Sequence, residues 1–167
     1  VTALIRQATT AAISYSNADV RQEVRDRLVA ILATGLRDAK PGSDHQVAYA
    51  NGLAAAATTD AADLLKGWLS GEEVPEGLSI DQGMRWRLVT ALARVGRVGE
   101  DEIAAELQRD NTISGSEQAA GARAAMPTAQ AKQAAWQRAT TDDSVPNETY
   151  RQLVMQFIQP DQTEVLS

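Results

Sequence analysis

The sequence contains no cysteine and only one histidine, His45, so the side chains that most often bind structural metals are nearly absent. Without cysteine there is neither a disulfide framework nor a thiolate metal site, and a reducing, cytoplasmic location is expected. His45 has no second histidine four residues away, so it cannot form the helical pair of a zinc protease. It lies at a predicted helix start, where exposure is expected. The sequence therefore predicts no metal site in this chain.

Basic charge and long apolar runs are also scarce. The chain has 16 Lys and Arg against 22 Asp and Glu, a formal net charge of -6. Nucleic acids and anionic membrane surfaces both select basic footprints, so neither is predicted as a partner. The longest apolar run, at 53–57, is far shorter than the ~20 residues that a membrane helix requires. The chain also begins at Val1 without the basic and then apolar segments of a signal peptide.

The common catalytic motifs are missing as well. There is no Gly-x-Ser-x-Gly elbow, and the Gly-Arg-Val-Gly stretch at 96–99 lacks the length and the Lys-Ser/Thr of a phosphate loop. The acid pairs Glu72-Glu73 and Asp142-Asp143 fall in predicted turns, where adjacent carboxylates are usually solvated. The residues thus predict no catalytic group, and they do not identify a substrate-binding residue.

Helical periodicity dominates the sequence instead. Val20, Val24, Leu28, Ile31 and Gly35 follow one face of a helix, and no stretch alternates at period two for long enough to form a strand. Nine helices are predicted, at roughly 2–16, 18–38, 44–57, 60–69, 82–95, 100–109, 115–125, 128–140 and 147–158. The chain is therefore predicted to be all-α.

Helix starts are visible in the polar residues. Segments 43–46 and 114–117 both have the capping-box form, a hydroxyl residue followed by Gln or Glu three positions later. Asp81 is a predicted N-cap.

The spacing of the helices predicts an array. A polar connection at 70–80 separates two helical groups, and after it helices recur at steps of about 15–18 residues, so that pairs recur in the range of α-solenoid units. Alanine is frequent at the expected contact positions, which allows close helix packing. We predict a single domain, 1–167, that forms an α-superhelical, HEAT- or armadillo-like array of antiparallel helix pairs. A compact helical bundle would produce a similar pattern.

Several ordered blocks in the second half resemble the C-terminal helical domain of bacterial aminopeptidase N, a gluzincin-type zinc metallo-aminopeptidase. They include Arg-Trp-Arg-Leu, Arg-Ala-Ala-Met-Pro-Thr and Gln-Pro-Asp-Gln, and they occupy 85–88, 96–103, 106–110, 123–132, 142–147 and 159–162. The resemblance is close over 84–166, looser over 41–83 and limited to helical character over 1–40. Met84 and Val145 stand where the family pattern has leucine.

The resemblance implies a parent enzyme that removes N-terminal residues from peptides with the help of zinc. The family's His-Glu-x-x-His and Gly-x-Met-Glu-Asn motifs do not occur here, so no catalytic or metal residue is carried over and this chain alone is expected to be inactive. In the family, this domain closes over the catalytic domain of the same polypeptide and encloses the peptide substrate. The chain is accordingly expected to be a piece of a larger protein. The alternative is a stand-alone α-solenoid scaffold that binds a peptide or protein.

A further motif is Arg85-Trp86-Arg87. Two arginines beside an aromatic residue could bind an anionic partner, or they could stabilise the helical scaffold. On a helical wheel, Arg85 lies inside the apolar arc, whereas Arg87 and Arg94 lie on the polar side. The two flanking arginines therefore face different ways and cannot form one clamp.

A buried guanidinium is too costly to leave unpaired. Arg85 is therefore expected to pair with helix-end carbonyls or with a carboxylate such as Asp81 or Asp110. We predict structural roles for Arg85, Trp86 and Trp136, with all three tryptophans of the chain packed in the core.

Overall fold

The computed structural model describes residues 1–166, and that part of the chain consists of α-helices joined by turns, without strands. The helices are α1 (Thr2–Thr10), α2 (Ala18–Asp38), α3 (Asp44–Ala56), α4 (Ala62–Ser70), α5 (Gln82–Arg94), α6 (Glu100–Arg109), α7 (Ile113–Ala125), α8 (Ala129–Thr141) and α9 (Asn147–Phe157). A π-helical turn, Ala11–Tyr15, continues α1, and a 3-10 turn, Thr163–Val165, follows α9. The helices pack antiparallel, which confirms the predicted fold class.

Two predicted capping boxes differ in detail from the structure. At α3, the Ser43 hydroxyl accepts from the Gln46 N–H at 3.3 Å, as predicted, but Gln46 Oε1 accepts from the Gly42 N–H at 2.8 Å. The box predicted at 114–117 is wrong, because α7 begins earlier. Its N-cap is Thr112, whose hydroxyl accepts from the Gly115 N–H at 2.9 Å. Thr112 has the extended backbone that an N-cap needs, so its hydroxyl caps the helix and the hydroxyl of Ser114 does not.

The chain divides into two compact units, Val1–Leu88 and the part from Val89 onward. The division falls inside α5 and not at the polar connection. In the first unit, α2 packs on α3, and the buried core includes Leu32, Leu53, Leu65 and Trp68, all of which are at most 2% exposed. That the whole chain forms one domain stays a prediction.

The second unit is built around α7, which packs against α6, α8 and α9. Its apolar centre is rich in alanine, and its core includes Ala120, Ala124, Ala135 and Leu153. Small side chains let these helix backbones approach closely, as the alanine pattern predicted. Between 1 and 166, no helix combines the length and apolarity needed to cross a bilayer.

Candidate functional site

Arg85 lies on α5 and is bonded to the end of a neighbouring helix. Its side chain is half-buried, and Nη1 donates to the carbonyl oxygen of Leu69 at 3.0 Å, in the last turn of α4. Asp81 caps α5, since its Oδ1 accepts from the Met84 N–H at 2.8 Å. The prediction that helix-end carbonyls receive Arg85 is confirmed. The negative end of the α4 dipole also favours a cation at this position.

The neighbouring residues of the motif face different ways. Trp86 is 2% exposed. Arg87 is exposed, whereas Arg85 is half-buried, so the prediction that the two arginines face different ways is confirmed. Trp136 is 60% exposed, and its expected place in the core is wrong. It lies at the edge of the buried face of α8, with its ring centroid 6.1 Å from that of Phe157. The structural roles assigned to Arg85, Trp86 and Trp136 stay predictions.

Replacing Arg85 with alanine or methionine should destabilise the protein, while Arg87→Ala should have little effect. Arg85→Ala removes a charged donor from the Leu69 carbonyl, which should cost about 1–2 kcal/mol. Thermal unfolding of both variants checks this, with Arg87→Ala as the matched control from the same helix. Equal melting temperatures for Arg85→Ala and the wild type would contradict a stabilising role.

Arg94, placed on the polar side by the helical wheel, is instead 7% exposed. Its Nη1 lies 3.5 Å from Asp161 Oδ2, in the segment that follows α9. Residues from far along the chain therefore cover the polar side of α5 at Arg94.

Gln162 joins the C-terminal ends of two helices. Helix α5 ends in a Schellman motif at Gly96, which has a φ of 72°. The Arg97 N–H donates to the Leu92 carbonyl at 2.8 Å and the Gly96 N–H donates to the Ala93 carbonyl at 3.0 Å. Gln162 Nε2 supplies donors to the next α5 carbonyl, that of Arg94, and to that of Ala125 in α7, both at 2.8 Å.

Lys132 performs a similar role for α7 and α9. It is 3% exposed, and its Nζ donates to the Ala124 carbonyl at 2.7 Å and to the Phe157 carbonyl at 2.8 Å. The ammonium also lies 5.6 Å from the centroid of the Phe157 ring. Burial lowers the pKa of Lys132 to about 8, and the nearby Asp161 charge partly opposes that change. We call Lys132 and Gln162 the helix-end donors.

Sequence reasoning missed the roles of both helix-end donors. Each lies in a block that resembles the family pattern, at 123–132 and 159–162, but the resemblance carries no information about hydrogen bonds. The carbonyls that they reach are 8 to 68 residues away in the sequence, so no local spacing identifies them.

A cavity of about 450 Å³ lies in the second unit, over α7 and α8. Alanine side chains and Leu153 form its apolar part, and Arg123, Arg138 and Glu100 form its polar part. Arg123 and Glu100 are joined by a bidentate ion pair, with N···O distances of 2.6 to 3.0 Å. This pair ties the start of α6 to the end of α7.

A second cavity, of about 380 Å³, lies within the first unit. It is lined by Leu36, Arg37, Trp68, Glu73 and Glu76, among others. Opposite charges and apolar side chains therefore share one concave surface, whereas the cavity of the second unit is mainly apolar.

The described residues do not fit a zinc site. No three His, Cys, Asp or Glu side chains among them are grouped so that they could hold a metal ion. His45 is exposed in the first turn of α3. Because zinc in proteins takes three or four such ligands at short distances, no step of a metal mechanism is assigned to this chain.

Comparisons with known proteins cover the whole chain. Residues 1–166 match the model of a family described as the ERAP1-like C-terminal domain. Over 168 aligned residues, the chain is 42% identical to a protein named Aminopeptidase N from Streptomyces lividans. That alignment takes in 100% of this chain and 20% of the relative, so the chain spans about a fifth of the protein that it matches.

Proposed function

Because the chain belongs to the ERAP1-like C-terminal domain family, we propose that it acts as the non-catalytic C-terminal domain of a longer aminopeptidase N-like protein. The family match confirms the resemblance deduced from the second half of the sequence. It also extends that resemblance to residues 1–40, where the sequence pattern indicates helical character only.

In the proposed role, the helices form part of the wall around the substrate cavity of a zinc-dependent aminopeptidase. The catalytic domain of the same polypeptide holds the zinc and removes N-terminal residues from peptides, and this chain restricts access to that site. The observation that supports this best is the alignment over the full chain with only 20% of a protein named as an aminopeptidase. The lack of a metal-binding group in the described residues is consistent with chemistry located elsewhere.

The buried polar side chains of the second unit support a role as a scaffold. Lys132 and Gln162 donate to helix-end carbonyls, and Arg94 is paired with Asp161. Such contacts fix the helix ends relative to one another, as a wall of defined shape requires.

The purified chain should show no aminopeptidase activity and no stoichiometric zinc. The measurements are hydrolysis of leucine p-nitroanilide and metal analysis by mass spectrometry, with a full-length aminopeptidase N as the positive control. Zinc-dependent hydrolysis by the chain alone, abolished by a chelator and restored by the metal, would contradict the proposal.

The gene distinguishes the proposal from a stand-alone scaffold. A reading frame that extends upstream into a His-Glu-x-x-His segment supports the longer enzyme. A start codon close to the codon for Val1 supports an independent α-solenoid that binds a peptide or protein.

A further inference from the structure

The cavity of the first unit combines an apolar surface with charges of both signs. Its volume is about 380 Å³, within the range of small-molecule sites. Leu64 and Pro75, both partly exposed, provide its accessible apolar surface. Leu36 and Trp68 also line it, but they are only 5% and 1% exposed and belong to the packed core of the unit.

The charged side chains that line this cavity do not pair with one another. Arg37 Nη2 donates to the Thr34 hydroxyl at 3.0 Å, within its own helix. Among the described residues, no ion pair joins Arg37 to Glu73 or Glu76, although all three line the cavity. The positive and negative groups are therefore available to a ligand that reaches both.

The segment that carries the two glutamates is anchored to the helical frame. The side chain of Gln46 is buried, and its Nε2 donates to the Glu76 carbonyl at 2.8 Å while its Oε1 accepts from the Gly42 N–H at 2.8 Å. The loop is thereby held against α3. Ligand binding would not have to order it first, which lowers the entropic cost of binding.

Trp68, one of the residues that line this cavity, carries a buried hydrogen-bond donor. The indole N–H of Trp68 is buried and has no hydrogen-bond partner. Leaving such a donor unsatisfied is costly, so Trp68 is a strained part of the cavity wall.

We propose that this cavity binds a small zwitterion, namely an α-amino acid with an apolar side chain, free or within a dipeptide. The ligand carboxylate lies against Arg37, the ammonium lies against Glu73 and Glu76, and the apolar side chain lies against Leu64 and Pro75. A simple cation would be repelled by the guanidinium of Arg37, and a simple anion would be repelled by the carboxylates of Glu73 and Glu76. Only a molecule with both charges is matched to this lining.

Binding at this cavity depends on residues of the first unit alone and not on the function proposed above. The link to that function, that an aminopeptidase releases α-amino acids, does rest on the proposed function. A binding experiment on the chain therefore tests the cavity, and an activity assay on the full-length enzyme tests the proposed function. A negative result in one leaves the other proposal standing.

Isothermal titration calorimetry with four probes tests the charge pattern. L-leucine carries both charges, leucinamide lacks the carboxylate, 4-methylpentanoate lacks the ammonium, and Leu-Leu places the two charges farther apart. We expect saturable binding of L-leucine or Leu-Leu, and at least about tenfold weaker binding of the two singly charged probes. The stronger of the first two shows whether a free amino acid or a dipeptide fits better. The absence of saturable binding by either, or equal binding of all four probes, would overturn the proposal.

Matched substitutions identify the residues responsible. Arg37→Gln and Glu73→Gln should each weaken binding by about tenfold, because each removes one charge and keeps the length of the side chain. Arg27→Gln, on the same helix as Arg37, and Glu72→Gln, adjacent to Glu73, should bind like the wild type, since neither residue lines the cavity. Circular dichroism confirms that each variant is folded. Unchanged affinity in a folded Arg37→Gln and a folded Glu73→Gln would exclude this site.

Discussion

Replacing Gln162 with leucine is expected to lower the free energy of unfolding by about 2–4 kcal/mol, because two buried carbonyls lose their donor together. Gln162 is 4% exposed, and its Nε2 donates to the Arg94 and Ala125 carbonyls. Leucine has a similar volume, so the apolar packing is largely kept while both hydrogen bonds are lost. The ends of α5 and α7 would each be left with an unsatisfied carbonyl.

Urea denaturation and thermal unfolding measure this effect, and the melting temperature should fall by roughly 5–12 °C. Gln159→Leu is the matched control, since Gln159 is also buried but donates to a residue only three positions away, Gln156. Its loss should cost about 1 kcal/mol or less. If Gln162→Leu were no less stable than Gln159→Leu, the bridging role of Gln162 would be wrong.

Lys132→Met should destabilise the protein by about 2–3 kcal/mol near neutral pH, because methionine cannot donate to the Ala124 and Phe157 carbonyls. The negative ends of the α7 and α9 dipoles would also lose their cation. Part of this loss is offset, because the variant no longer buries a charge.

The deficit of Lys132→Met should grow as the pH rises. The pKa of Lys132 is lowered from its ordinary value of 10.5 to about 8 in the folded protein. Between these values the unfolded chain binds a proton that the folded chain does not, so the contribution of Lys132 to stability rises with pH. This pH-dependent part of the contribution is fully present above 10.5 and is lost as the pH falls through about 8, whereas the hydrogen bonds to the Ala124 and Phe157 carbonyls still contribute at neutral pH. The change is equivalent to roughly 3 kcal/mol.

Urea denaturation of the wild type and Lys132→Met at intervals from about pH 7 to about pH 10 measures this difference. Lys66→Met provides the control, since Lys66 is exposed on α4 and its loss should change stability by less than about 0.5 kcal/mol at any pH. A difference between the wild type and Lys132→Met that shrinks towards alkaline pH would show that burial does not lower this pKa.

Local patterns in the sequence were enough to predict the helices. The nine predicted segments correspond to α1–α9 in the described part of the chain, with the first continued by the π-helical turn. Apolar periodicity and N-caps act within a few residues, so a single sequence reports them. The need of Arg85 for a partner, either a carboxylate or a helix-end carbonyl, followed in the same way, because a guanidinium inside an apolar arc is too costly to leave unpaired, and the structure supplies the Leu69 carbonyl.

Other features depended on residues distant in sequence. A helical wheel shows which side of α5 carries Arg94, but not that Asp161 and Gln162 cover that side. It likewise could not show that Trp136 lies outside the core at the edge of α8. The start of α7 was predicted too late for a different reason, since Ser114 has the form of an N-cap as well as Thr112.

By itself, the sequence determined the all-α class, the helix positions and, through its ordered blocks, the family. The tertiary structure alone decided which donors satisfy the helix-end carbonyls and which charges line a common cavity. Lys132 reaches Phe157 across 25 residues, and Arg37 of α2 lines the same cavity as Glu73 of the loop after α4. Helix formation is governed by neighbours along the chain, whereas these contacts exist only once the helices have packed.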